Sequence, residues 1–227
     1  MRVLADIDDA EREAAAGAVP RGRVRVSANV PFGLRHLLPL VPGFLARHPG
    51  VTLDVALTDE VVDLLEVRAD VAIRTGPLRA SRLVARKLGA SRMAVVASPA
   101  YLERHGAPRT PAEIERHNRI GFNVARSFEG WPFLVRGSVT ALPARGNVQV
   151  GDGESARRLA LGGAGLARLA LFHVAPDLRA GRLRSVLERF NPGDEREVHA
   201  VFVGQGGRLP ARVRTFVDYL AEHVRVG

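Results

Sequence analysis

Along "GRVRVSA" (22–28), Val24, Val26 and Ala28 alternate with Arg23, Arg25 and Ser27, the period of a strand with one buried face. Small and turn-forming residues follow at once: Ser27 to Asn29, Pro31 and Gly33. The next run, "GLRHLLPLVPGFLARHPG", keeps a helical face through Leu34, Leu37, Leu38, Val41, Phe44 and Leu45. Pro39 and Pro42 inside it are expected to bend or interrupt the helix. Gly50 ends the run, and "VTLDVAL" predicts a second strand. Asp59 reads as the N-cap of a helix over "EVVDLLEV". "ADVAIRTG" reads as a short buried strand ending in a Thr75-Gly76 turn. "MAVVASP" (93–99) predicts another strand, with Ser98-Pro99 opening the helix "AYLERHG".

A second group of segments comprises "RIGFNVA", "NVQVGDGE", "SARRLALGGAG", "LARLALF" and "VAPDLRAGRL", with "LARLALF" taken as a strand. The chain then returns with "EVHAVFVG" and a last helix. There Leu209, Val213, Phe216, Val217, Leu220 and Val224 form an amphipathic stripe with spacings of 4, 3, 1, 3 and 4. At the other end, residues 1–16 put Val3, Leu4, Ile7, Ala10 and Ala14 on one side of a helix, and "AAAGAVPRG" follows as a linker. Strands alternate with helices throughout, which predicts an α/β architecture. No repeat of solenoid period is visible.

Composition narrows the class. The chain has 227 residues, 46% hydrophobic and 25% charged, enough to bury one large core or two smaller ones. No apolar run reaches the ~18 residues of a membrane span, and the acidic N-terminus lacks the apolar core of a signal peptide. The expectation is a cytoplasmic protein with no membrane partner. The absence of cysteine excludes disulfides and thiolate chemistry. A net charge of +9 raises the question of nucleic acid. The basic residues are scattered arginines with Lys87 the single lysine, and no aromatic-interleaved basic strand occurs, so direct DNA or RNA binding by this chain is not expected.

Candidate chemistry is sparse. "GDGESA" (151–156) matches G-x-G-x-x-[GA], but "LARLALF" ends without the acid that would hold a ribose, so a tight turn into a helix capped by Asp152 is expected. "GGAG" and "GQGG" lack the Lys-Ser/Thr of a phosphate loop. The seven histidines show no metal-ligand spacing; His36 and His48, like His105 and His117, stand 12 apart. There is no G-x-S-x-G elbow. No enzyme activity, metal or cofactor is expected. What remains is a set of small and polar residues at strand ends. Any one of them is explained by ordinary helix capping. Together they point to one crevice, since ligands of open α/β sheets bind outside the carboxyl ends of the strands.

The same stretches resemble the effector-binding domain of LysR-type transcriptional regulators. The resemblance rests on "GRVRVSANVPFGLRHLLPLVPGFLARHPGVTLDV", "ADVAIRTGPLRASRLVARKLG", "VASPAYLERHGAPRTPAEIERHNRIGF", "NVQVGDGESARRLALGGAGLARL", "LRAGRL" and "VRTFVDYL", in order, from 22 to 222. "VLADIDDAEREAAAGA" looks like the end of that family's linker helix, so residues 1–21 would be linker and hinge. The family's winged helix-turn-helix, which would precede it, is missing from the sequence, which then reads as cut short or started at an internal methionine.

The resemblance implies an α/β fold of periplasmic-binding-protein type, each lobe a mixed sheet flanked by helices. Lobe I would be 22–97 with 198–227, and lobe II 98–197. A small-molecule effector would lie between them, against Ser27, Ala28, Asn29 and Phe32 from the first turn. Arg74, Thr75, Gly76, Ser98, Phe122, Asn123, Asp152 and Gly153 would form the other walls. Helix N-termini, hydroxyls and Phe side chains there favour a monocarboxylate. A homodimer through lobe I, or a tetramer at full length, is implied, with DNA bound only through the missing N-terminal domain. "GLARLA" departs from the family pattern, with Arg168 at an apolar position that either shapes the pocket or points outward. A transporter's solute-binding protein and a small α/β enzyme are the alternatives.

Overall fold

Strand β1 (Gly22–Ala28) buries Val24 and Val26 and leaves Arg23 and Arg25 exposed, as its alternation requires. It lies in a computed structural model that describes residues 19–60, 69–76, 83–123, 130–203 and 209–226. Two parallel neighbours flank it, β2 (Val51–Leu57) and β3 (Val71–Thr75), with Val26 opposite both Val55 and Val71. Parallel strands need a crossover. Helix α1 supplies it between β1 and β2, running through Val30–Phe32, Gly33–Leu37 and Leu38–Arg47.

The helix is not interrupted at its prolines. Its second segment is a wide turn, where Leu38 N–H reaches back five residues to Gly33 O. That widening makes room for the Pro39 ring, which in a regular helix would press on the carbonyl of Arg35. Pro42 is carried inside the last segment. Close packing fixes the helix on the sheet: a Cβ at Gly33 would stand 2.3 Å from Leu57 Cδ2.

Two long antiparallel strands complete the first sheet, in the order β2-β1-β3-β11-β4. They are β4 (Leu83–Ala97) and β11 (Glu195–Val203). The strand expected at 93–99 is thus the end of a much longer one. From Leu83 to Arg92 it pairs with β11; from Met93 onward it pairs with β9 (Ala167–Ala170) and β10 (Arg184–Val186). A bulge interrupts the first part. Val198 faces Gly89 and His199 faces Lys87, so Leu88 is left unpaired and turned inward, 8% exposed. One strand therefore belongs to two halves of the molecule.

In the first half, α5 (Ala211–His223) lays Val213, Phe216, Val217 and Leu220 on the core of β1, β3 and α1, with Phe216 edge-on to Phe44. In the second half the sheet has two covered faces. Helices α3 (Gly153–Leu161) and α4 (Leu171–Arg179) pack on Ala94, Val96 and Leu169. Helix α2 (Pro99–His105) and the hairpin of β6 (Trp131–Val135) and β7 (Ser138–Leu142) pack Tyr101, Trp131 and Phe133 on Val95 and Ala97. A short parallel pair, β5 (Gly121–Phe122) and β8 (Gln149–Val150), precedes α3.

Strand β9 stops at Ala170, so "LARLALF" is not one strand; Leu171 and Phe172 already open α4. An unbroken apolar run carries no period to tell the two apart. The N-terminal amphipathic helix, the helix over "EVVDLLEV" and the end of "RIGFNVA" fall outside the described residues.

Candidate functional site

The C-terminal ends of β1 and β3 lie side by side and hold each other through side chains. Arg74 donates from Nη2 to Ser27 Oγ at 3.0 Å, and from Nη1 to Ser27 O and Ile73 O. Thr75 Oγ1 donates to Asn29 Oδ1 at 3.2 Å, and Asn29 N–H to Ile73 O. Gly76 takes a φ of +106° that suits glycine, and its N–H donates to Glu197 O at 2.8 Å. Burial lowers the pKa of the Arg74 guanidinium, and the negative charge of Asp59 opposes that shift. Ala28 and Phe32 are wholly buried at this edge.

The second half presents a matching edge. Asn123 N–H donates to Val150 O at 3.1 Å, which sets Phe122-Asn123 beside the turn that opens α3. Asp152 caps that helix, accepting the Ser155 N–H at 2.8 Å and the Ser155 hydroxyl at 2.6 Å. "GDGESA" is therefore a capped turn. The two edges touch: a Cβ on Gly153 would stand 2.7 Å from Pro31 Cγ.

Ser98 does not join them. It caps α2, accepting the Tyr101 N–H, and lies beside Gly163, past the C-terminal end of α3. Gly153 is at the opposite end of that helix, about 15 Å away at 1.5 Å per residue. The other eleven expected residues divide between the two edges.

Asp59 joins the two edges, a residue that the expected crevice did not include. The helix it is expected to cap lies outside the described residues; its Oδ1 accepts the Val30 N–H at 2.7 Å and its Oδ2 the Gly153 N–H at 3.3 Å. An acid two residues past a strand was the available signal; nothing local pointed to Val30 or Gly153.

Behind the edges, α1 meets α3 and α4 through a charged network. Asp177 is fully buried and accepts from Arg157 (2.6 and 3.1 Å) and Arg182 (2.9 and 2.7 Å), with Arg35 at 3.9 Å. Burial pushes the Asp177 carboxyl up, and hydrogen bonds from Arg157 and Arg182 more than reverse it. Glu154 pairs with Arg157, Arg158 and the buried His173. His36 is flanked by Phe32 and Phe172, each ring 5.2 Å away.

Arg168 points inward on the other face of β9. It pairs with Asp194 beside a small cavity lined by Val95, Pro132, Phe133, Val186 and Asn191. Among the described residues no cluster of His, Asp or Glu is placed to hold a metal, and no helix is long and apolar enough to cross a membrane.

Two α/β halves joined through one shared strand, with strand-end turns facing each other across the join, define a two-lobed small-molecule-binding domain. Residues 17–225 match the family described as the LysR substrate binding domain. The chain belongs to that family: it is the effector-binding domain of a LysR-type transcriptional regulator. It is 32% identical to the HTH-type transcriptional regulator CrgA of Neisseria meningitidis serogroup C (strain 8013), over 98% of this chain and 74% of that protein. An HTH-type transcriptional regulator of Xanthomonas campestris pv. campestris (strain 8004) is 34% identical, over 96% of this chain and 64% of its own length. The regulatory domain of CrgA from Neisseria meningitidis superposes with a TM-score of 0.81 at 31% identity, covering 92% of this chain and all of that one. These relatives are regulators, so the solute-binding and enzyme alternatives are not favoured.

Proposed function

We propose that this domain binds a small monocarboxylate effector between two lobes, 22–97 with 198–227 on one side and 98–197 on the other. Ser27, Ala28, Asn29, Phe32, Arg74, Thr75 and Gly76 form the first wall; Phe122, Asn123, Asp152 and Gly153 form the second. The observation that carries this reading is Arg74, a guanidinium held by Ser27 at the end of β3, with its lobe's edge against the first turn of α3. A guanidinium and helix N-terminal N–H groups favour a carboxylate. Asp152 opposes a second negative charge on the same ligand.

Binding biases the arrangement of the lobes and, through it, the DNA-binding parts of a cytoplasmic full-length regulator. Self-association runs through the first lobe, where Leu34 and Leu38 of α1 are exposed and β2 is an outer strand. The test is a thermal-shift screen of small carboxylates, aromatics and amino acids. A monocarboxylate is expected to raise the melting temperature, and Ser27→Trp to abolish the shift. A shift that survives Ser27→Trp overturns the site.

A further inference from the structure

The two facing edges are bridged by one carboxylate. Asp59 comes two residues after β2. Thr58 N–H donates to Ala28 O at 2.9 Å, prolonging the pairing of β1 with β2 and delivering Asp59 to the start of α1. From there it accepts the Val30 N–H in its own lobe and the Gly153 N–H in the other. Each helix start explains why the contact is needed. Asn29, which precedes α1, makes no capping bond with its side chain, so Val30 N–H depends on Asp59. Asp152 caps α3 at Ser155, which leaves the Gly153 N–H for Asp59.

We propose that Asp59 is a latch between the lobes. With no effector bound, its carboxylate holds the first turn of α3 against the first turn of α1. On the effector reading above, the effector's carboxylate takes over the Gly153 N–H as Asp59 lets go. The contact to Val30 lies within one lobe and persists; the longer contact to Gly153 is the one that breaks. Pro31 against Gly153 then sets how far the lobes close, and Asp59 sets how readily they part.

The chain has no cysteine, so Thr52→Cys on β2 and Ser138→Cys on β7, both exposed, place one spin label on each lobe. Pulsed electron-spin distance measurement on the labelled chain is expected to give one narrow distance distribution. Asp59→Ala shifts and broadens it toward longer values, and Asp59→Asn, which keeps an acceptor but loses the charge, falls between. A melting curve for each variant checks that it is folded, and Asp59→Asn carries the measurement if the alanine variant is not. An unchanged distribution in the folded variants overturns the latch.

Benzoate, titrated into both proteins, separates the latch from the effector reading. If benzoate competes with Asp59, it binds Asp59→Ala about tenfold more tightly than the parent, because the competent state is no longer held back. Equal binding to both overturns the displacement. Failure to bind either, with the distance still lengthened, supports the latch and counts against the carboxylate reading.

Discussion

Asp177 has no exposed side-chain surface, yet it is charged, and the reason is two guanidinium groups. Removing the carboxylate leaves Arg157, itself 14% exposed, without its main partner. Asp177→Ala is expected to cost about 3 kcal/mol, the range for breaking a buried pair from one side. Arg158 belongs to the same network through Glu154 but is 76% exposed. Arg158→Ala should cost about 0.5 kcal/mol or less. Urea unfolding of the two variants separates them. Equal losses would mean that burial is not what sets the strength of these pairs.

The same contrast explains what could be read from single residues. Asp152 announced its role because a cap needs only its own next three residues. The contacts of Asp59 to Val30 and Gly153 were not legible, because those partners lie 29 and 94 positions away. Ser98 carried the signature of a helix cap and is one; its strand-end position and the resemblance both put it in the crevice, and the fold sets it apart from the two edges. Arg168 looked misplaced among apolar neighbours until folding brought Asp194 to it.

Elements were legible where a period is intact. Strand β1 and helix α5 keep theirs, and both lie close to where the pattern puts them. The first part of β4, "LVARKLGASR", has no alternation because the bulge at Leu88 shifts the phase partway along. The β6–β7 hairpin escaped notice too. It turns at Arg136-Gly137, both at positive φ (50° and 80°), a turn suited to its two-residue loop but lacking the usual Asn or Asp signal. Helix α1 was found, and its regular turn gives way at 33–37, just before Pro39, where Gly33 lets the wide turn sit on Leu57. Gly33→Ala is expected to push α1 from β2 and cost about 1–3 kcal/mol. The measurement is chemical denaturation, and Gly137→Ala is no control, since positive φ strains it without any contact. Gly162→Ala, at a right-handed helix end, should cost much less.

For the whole molecule, pH reports on how many ionisable groups the fold has enclosed. Burial holds the imidazoles of His36, His117 and His173 below their ordinary value of 6.5. The unfolded chain takes up protons there as pH falls through about 6.5 while the folded protein resists, so acid favours unfolding. For Glu154 and Asp177, burial raises the carboxyl pKa and hydrogen bonds from Arg158, His173, Arg157 and Arg182 bring it below normal. Their stabilisation is complete above the unfolded values of 4.5 and 3.8 and disappears as pH falls through the folded ones. Stability should therefore be flat above pH about 7, decline toward 5, and fall again below 4. Denaturation at three pH values checks it. His173→Gln, which can still donate to Glu154, should shrink the first decline and leave the share of His36 and His117; a decline of unchanged size would exclude His173 as a source.

The position of β11 has a consequence for how the protein is made. Of the described strands it is the last to leave the ribosome, yet it lies in the interior of the first sheet, between β3 and β4. Until it arrives, β3 and β4 have no common partner, and α5 cannot cover β1. Strands β4, β9 and β10, by contrast, are all synthesised by Val186, so the second lobe is able to mature while the first waits. A nascent chain stalled with Asp194 just outside the exit tunnel should resist protease across 93–187 and be cut readily between 22 and 60. Release of the remaining 33 residues should close the first lobe in a single step. Protection of both regions in the stalled chain would show that β11 fills a sheet already formed.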